Sequence, residues 1–578
     1  MTALLTGGRG GASAIRGVRA LAAGAMLALA TALGGCSGSP DLDADQDQVR
    51  AAIREMLTGD SAAVLVEERR AVARAAYAAR DYAPVWIDGG PTDRVRALVD
   101  AICSAELEGL HPWDYDLAEL RDALVAIDEA GEATPEAVAA LELRFTGLFM
   151  QYGTDLASGR HDPRRVEKEW YIRTPQREID SMLAIALRAP SWEEMRAGLA
   201  PSQEEYGALA QALRLYRSLD SAGGWPKIPA GEAVAVGERD PRAPLLRRRL
   251  AITGDLVDTT RTDSIYDPAL AAAVARFQQR HGLEPDSALG EDTRTAMNVS
   301  AADRVRQIEL NLERLRWMPR ELGDRYILVN IPNYYLHAYD SGQRVLDMRV
   351  VVGEEYGSAT PVFSDSMDHV IFQPYWNIPE SILAEEILPA AEKDPSYLAR
   401  NNYEIVRSMA EPEPVSLSEV DWSGPDDGDF PYLARQKPGP QNALGAVKFM
   451  FPNRFSIYLH DTPADHLFER TERAYSHGCI RVEDPLALAR FVLAPDPEWN
   501  EERIRRAMAP GSEESRTVSL SRKVPVYILY LTAFAQDGQV HFRNDLYDMD
   551  SRAMRRLGEE RKTDVSTICQ ELRDLLKG

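Results

Sequence analysis

Apolar positions along this chain change period, and the changes divide it. Between residues 45 and 235 they recur at helical spacing, as in Leu141, Phe145, Leu148 and Phe149, which predicts a mostly helical scaffold. Gly223-Gly224, Pro226 and Pro229 mark a linker. Residues 240–300 predict a compact helical unit. Asp267-Pro268 reads as an N-cap followed by proline at the first helical position, and Leu270, Val274 and Phe277 form one apolar stripe that Gly282 is placed to end. A second helix is expected near Asp292–Met297, and Val305, Ile308, Leu312 and Leu315 predict a third that leads to Trp317-Met318-Pro319.

Beyond this point the pattern becomes strand-like. Tyr326–Ile331, Leu336–Tyr339, Arg349–Val352, His369–Phe372, Val447–Phe451 and Phe455–His460 predict strands, so residues 320–545 read as a mainly-β domain. The stretch from Ile382 to Pro438, with its polar run Glu411–Asp429, is too long for an ordinary connection. It predicts a capping insertion over residues 383–437, and residues 546–578 predict a helical tail. The expected fold class is α+β and multidomain, consistent with a 578-residue chain at roughly 150 residues per domain.

Charge changes the picture by exclusion. Ninety acidic residues against 66 basic ones leave a net charge of −24, which argues against a nucleic-acid partner. The first 36 residues change it by adding an address. Arg9, Arg16 and Arg19 precede the apolar run Ala20–Leu33, then Gly34-Gly35-Cys36, the pattern of a secretory signal and not of a spanning helix. Leu33-Gly34-Gly35-Cys36 resembles a lipoprotein signal box, which makes Cys36 the lipidated residue and implies a periplasmic protein anchored to a membrane. Ser37, where aspartate would direct retention, favours the outer membrane. Ordinary cleavage beside an incidental cysteine is the alternative.

Four cysteines occur, at 36, 103, 479 and 569, without paired spacing. Neither a zinc site nor a disulfide framework is therefore indicated. Cys103 is expected to be buried in a helix, and Cys569 to be structural or merely exposed. Cys479 stands apart. It lies in Ser476-His477-Gly478-Cys479-Ile480-Arg481, followed by Asp484-Pro485 and a helix facing Leu488, Phe491 and Val492 inward. A thiol with a free pKa near 8.5 needs a cationic or basic neighbour to act as a nucleophile, and His460 and His477 are the available imidazoles. Alternation puts Phe455, Ile457 and Leu459 on one face of a strand and His460 on the other. Gly478 permits close approach, and the amides of Gly478 and Cys479 are candidates for an oxyanion hole. Arg481 can hold a substrate carboxylate, with Ser476 and Tyr458 as further substrate contacts. The remaining histidines, 111, 161, 281, 337, 369, 466 and 541, read as packing or surface residues.

Two resemblances follow from these strings. Phe277-Gln278-Gln279-Arg280-His281-Gly282-Leu283, with Gly290, Thr293 and Asn298, resembles the three-helix peptidoglycan-binding domain. His460, a spacer, then Ser476-His477-Gly478-Cys479 and Arg481 resemble the signature of L,D-transpeptidases. Asn311-Leu312-Glu313-Arg314, Tyr375-Trp376-Asn377-Ile378-Pro379, Pro438-Gly439-Pro440-Gln441-Asn442-Ala443-Leu444-Gly445 and Leu459-His460-Asp461-Thr462-Pro463 extend the likeness to the large multidomain members. The resemblance implies a Cys479 nucleophile, His460 as its base, and His477 shaping the pocket or orienting the acyl group. It implies no cofactor and no metal. The substrates would be a donor tetrapeptide stem and an acceptor amine of peptidoglycan, joined through a thioester, with cell-wall synthesis enzymes as further candidate partners. A hydrolase or carboxypeptidase using the same cysteine, and a wall-binding lipoprotein without catalysis, are the competing expectations.

Overall fold

The computed structural model describes residues 40–59, 65–173, 176–355, 357–394, 396–410, 412–416, 418–420, 432–511, 515–557 and 564–577. The leader with Cys36, and most of the polar run 411–429, lie outside the described residues.

Helices fill the N-terminal half because their apolar stripes and caps agree. The helix Pro135–Ser158 starts under the Thr134 side chain and runs through the middle of the first core. That core takes apolar residues from Leu42 to Leu199 and closes over Cys569 and Leu572 of the C-terminal helix Ser566–Leu575 and Leu576 just after it. The peptidoglycan-binding-like unit has its own small core around Leu246, Leu270, Val274 and Phe277. Its helix Pro268–Arg280 is capped by the Asp267 carboxylate on the Leu270 N–H at 2.9 Å, as the sequence leads one to expect. Glu291–Asn298 and Ala301–Arg316 are the next two helices.

The strand-rich region closes on itself. Val362–Phe372, Arg516–Leu529, Arg325–Asn330, Tyr335–Asp340, Gln343–Gly353, Ile480–Val482, Leu459–His460 and Val447–Met450 pair in that order, and Val447–Met450 pairs back onto Val362–Phe372. Closure leaves no free edge along this path. The helix Glu204–Ser221, which the sequence assigns to the scaffold, buries Tyr206, Leu209, Leu213 and Tyr216 in the core of this region instead. A separate lobe interrupts the barrel. Its strands Trp376–Asn377, Tyr403–Val406 and Leu433–Gln436 form a small sheet, and Ile378, Ile382, Leu398, Ile405 and Ala434 give it a core of its own.

Two expectations are corrected. The strand predicted over Phe455–His460 is confined to Leu459–His460. Asn453 is the reason: its carbonyl oxygen accepts from the Phe455 and Ile457 N–H groups, and its amide donates to the Phe451 and Ile457 carbonyls. Those are backbone groups a ladder would need. The cysteines are not all single, because Cys103 and Cys569 form a disulfide across 466 residues of sequence, with Cα atoms 5.9 Å apart. Local spacing carries no signal for a pair so distant, and folding alone brings the two helices together. The tail is consequently part of the frame.

Candidate active site

Two short parallel strands set the geometry. Leu459 pairs with Ile480 and His460 with Arg481, and the Ile480 N–H donates to the Tyr458 carbonyl at 3.1 Å. Leu459 and Ile480 point into the core and are fully buried. By alternation Tyr458, His460, Cys479 and Arg481 share the opposite face. Cys479 stands near Tyr458, and the Tyr458 and His460 rings lie 5.6 Å apart. Cys479 is half-buried and free, and its thiol donates to the Ser456 carbonyl at 3.7 Å.

The loop before Cys479 is held from several sides. Gly478 has φ of +105°, and a Cβ there would meet Ile457 at 3.2 Å. Gly353 packs so closely beneath it that a Cβ would sit 1.9 Å from the Ser358 carbonyl and 3.0 Å from the Gly478 Cα. The Thr360 hydroxyl bridges these two segments, accepting from the Gly353 N–H and donating to the Gly478 carbonyl. Downstream, the Asp484 carboxylate caps the helix Pro485–Leu493 through the Ala487 N–H at 2.8 Å. Glycine at both 353 and 478 is a steric requirement.

His460 donates Nδ1–H to the Asp461 carbonyl at 2.5 Å, which assigns the proton to Nδ1 and leaves Nε2 as the basic nitrogen. Burial, then the positive charges of Arg481 and Lys448, hold this imidazole down to about 3, against the Asp461 hydrogen bond that favours its charged form. Burial pushes the Cys479 thiol up, against hydrogen bonds from Tyr458 and the charges of Lys448 and Arg481, which pull it down. At rest the thiol and the imidazole are therefore both neutral.

The other predicted site residues separate. Tyr458 is at the site, since it and Cys479 are close enough to shift each other's ionisation, and Trp376 lies near enough to affect Tyr458 as well. Arg481 is close enough to Cys479 for each to shift the other's ionisation. Ser476 is not placed as a substrate contact: it is buried, its hydroxyl donates to the Cys479 carbonyl at 2.5 Å, and it accepts from the Gly478 N–H at 3.2 Å. It staples the loop, and it occupies the Gly478 N–H expected to serve an oxyanion. His477 is exposed and turns away from the barrel toward the inserted lobe, where its Nε2 lies 2.8 Å from Glu386 Oε1.

Three neighbours were not singled out from the sequence as site residues. Lys448 pairs with His460 across the antiparallel strand and sets its ammonium 3.6 Å over the Tyr458 ring. Alternation of buried Val447 and Phe449 with half-buried Lys448 and Met450 was the available signal. Trp376 and Glu386 belong to the inserted lobe, and no local pattern reports that a distant insertion folds back. Among the described residues no group of three His, Cys, Asp or Glu side chains is placed to hold a metal ion.

Comparisons with known proteins bear on the same segments. Residues 324–528 match the model of the L,D-transpeptidase catalytic domain, residues 239–297 that of a peptidoglycan binding domain, and residues 71–213 that of a scaffold domain. A relative from Haemophilus influenzae, provisionally named an L,D-transpeptidase, is 36% identical over 246 residues, which is 43% of this chain and 48% of the relative. The match thus spans about half the relative's length. Solved L,D-transpeptidases from Xylanimonas cellulosilytica and Stackebrandtia nassauensis are 15% and 12% identical, cover 52% and 53% of this chain and 99% and 96% of their own, and give TM-scores of 0.15 and 0.20.

Proposed function

The chain belongs, by its catalytic domain, to the L,D-transpeptidase family, and from that premise we propose that it joins peptidoglycan stem peptides through a Cys479 thioester. The observation that carries the proposal is the pairing of His460 with Arg481 on neighbouring strands, with Tyr458 and Cys479 each two residues earlier and close enough to shift each other's ionisation.

In the proposed reaction, a donor tetrapeptide lies with its terminal carboxylate toward Arg481, whose planar fork suits that group. His460 Nε2 takes the thiol proton as sulfur attacks the carbonyl of the third residue. The Cys479 N–H and the Tyr458 hydroxyl receive the developing oxyanion. Collapse breaks the peptide bond, and the His460 imidazolium returns its proton to the departing D-alanine amine. The amine of a second stem then attacks the thioester, His460 removes its proton, and the thiol leaves. The product is a cross-link between the third residues of two stems. A covalent intermediate divides one difficult amide exchange into two easier steps, and a cap that excludes water favours amine over hydrolysis. The peptidoglycan binding domain is read as the part that holds the enzyme to its polymeric substrate.

Two measurements test this. A folded sample treated with a carbapenem, a β-lactam that acylates cysteines of this kind, is expected to gain one covalent adduct by intact mass. Cys479→Ala is expected to gain none. Incubation with purified tetrapeptide muropeptides is expected to give dimers. Monomeric tripeptides alone would replace the transpeptidase reading with the carboxypeptidase one, and no adduct together with no product would leave only wall binding.

We further propose that the protein works outside the cytoplasm, anchored through Cys36. The Cys103–Cys569 disulfide supports export, since such bonds persist in oxidising compartments. Lipid labelling lost in Cys36→Ala is the expected result, and labelling of neither form would leave a simply secreted protein.

A further inference from the structure

The acceptor differs from the donor in charge. Its attacking group is a primary amine, which at neutral pH waits as an ammonium. The cations nearest the sulfur, Lys448 and Arg481, suit the donor's carboxylate and oppose an ammonium. Any attraction for the second substrate must come from a carboxylate placed elsewhere around Cys479.

The inserted lobe supplies one. Glu386 sits in Leu383–Ile387, a π-helical turn between the helical pieces Glu380–Ile382 and Leu388–Lys393. Turns of this kind occur mostly where a helix gives up regularity for function. Glu386 Oε1 lies 2.8 Å from Nε2 of His477, two residues before the nucleophile, and both side chains remain about half exposed. Among the described residues Glu386 has no Lys or Arg partner. A second part of the lobe also approaches the site: Trp376, in its small sheet, lies close enough to Tyr458 to affect that phenol's ionisation, as Cys479 does. Two separate parts of the lobe, its sheet and its helical turn, therefore approach the segments that carry the reacting centre.

We propose that Glu386 recognises the acceptor's ammonium, exchanging its contact with His477 for the incoming amine and so aiming that amine at the thioester. This rests on the transpeptidase reading above. Glu386 contributes to the second half-reaction and has no part in forming the thioester. Because its present partner is an exposed histidine that water can replace, the exchange costs little.

The test separates the half-reactions. Acyl-enzyme is formed from a tetrapeptide donor and its breakdown is followed at rising concentrations of a tripeptide amine acceptor. In Glu386→Gln the half-saturating acceptor concentration is expected to rise about tenfold, the loss of one charge-assisted hydrogen bond. Carbapenem acylation and acceptor-free hydrolysis are expected to change less than about twofold, and Glu386→Asp to recover most of the acceptor dependence. If Glu386 merely latches the lobe, Glu386→Gln speeds hydrolysis and leaves acceptor half-saturation unchanged, which overturns the proposal. A wild-type protein that forms no acyl-enzyme defeats the transpeptidase reading itself and takes this inference with it.

Discussion

Two polar contacts tie parts of this molecule that are distant in sequence, and they are built in opposite ways. Around Arg314 the guanidinium is wholly buried. It donates to Glu167, just after the helix Pro163–Val166, at 2.7 Å and to Asp550, in the helix Met549–Leu557, at 2.6 Å. Asp550 also accepts from Thr532, and Asn311 holds the Thr532 backbone and hydroxyl. Burial pushes both carboxyls up, and Arg314 offsets part of that rise, so each group is tolerable only with the others present. At Glu386 a single carboxylate meets a single imidazole in half-exposed surroundings. The first arrangement stands only if scaffold, barrel and tail are all assembled. The second can break and re-form without disturbing any core. Frame and moving part are thereby distinguished by desolvation.

The comparison breaks most visibly at Arg314. Arg314→Met strands two carboxylates in an apolar interior and is expected to cost about 3–5 kcal/mol, read as a lowered midpoint in urea unfolding. A loss below about 1 kcal/mol would mean that the junction relaxes and lets water in, and the contrast with the lobe would fail.

On the frame side the disulfide comes next. Cys569→Ser removes a covalent tie that closes nearly the whole described chain, and it is expected to cost about 2–4 kcal/mol. Reducing agent added to the wild type should reproduce the shift in thermal unfolding while leaving carbapenem acylation at Cys479 intact. Equal midpoints with and without reductant would show that the tail helix holds by its apolar contacts alone.

What the sequence made legible follows the same division. Short-range physics was readable: the caps at Asp267 and Asp484, the stripe of Leu270, Val274 and Phe277, and the string from Ser476 to Arg481 each lie within one or two turns of chain. The strand ending at His460 is far shorter than alternation suggested, but its pairing with Arg481, at the end of the string from Ser476, keeps it beside the predicted site. Where a side chain competes with the ladder, as Asn453 does, period alone misleads. The Cys103–Cys569 bond, the role of Asp550 and the approach of Trp376 and Glu386 depend on which distant segments meet, and no spacing reports that. Ser476 was misread for a related reason: a hydroxyl next to a nucleophile suits substrate binding or loop bracing equally until its burial is known.

On the moving side, Glu386→Gln is expected to alter global stability by no more than about 0.5 kcal/mol, measured by the same urea titration as Arg314→Met. The two variants together sharpen the contrast, since each removes a charge at a contact between distant segments. A cost at Glu386 approaching that at Arg314 would make the lobe part of the frame, and the exchange of His477 for an incoming amine would become untenable.

The smallest expected effect is a near absence of one. A site working through a preformed thiolate–imidazolium pair gains activity as pH rises through the thiol's ionisation. Here His460 is held down to about 3 and the Cys479 thiol is pushed up, so neutral thiol and neutral imidazole coexist between those limits. His460 should then act as a general base throughout, and the second-order rate of carbapenem acylation should vary less than about threefold between about pH 5 and pH 8. The same depression has a stability consequence of definite sign. An unfolded histidine takes up its proton near about pH 6.5, whereas the folded one does not, so the stability His460 contributes is complete above that pH and is lost as pH falls toward about 3. Acylation must accordingly be compared only where circular dichroism shows the fold intact. A rise of tenfold or more with a midpoint near about pH 6–7, in protein still folded, would show that the thiolate forms before substrate arrives and that the buried strand pair does not keep its proton in place.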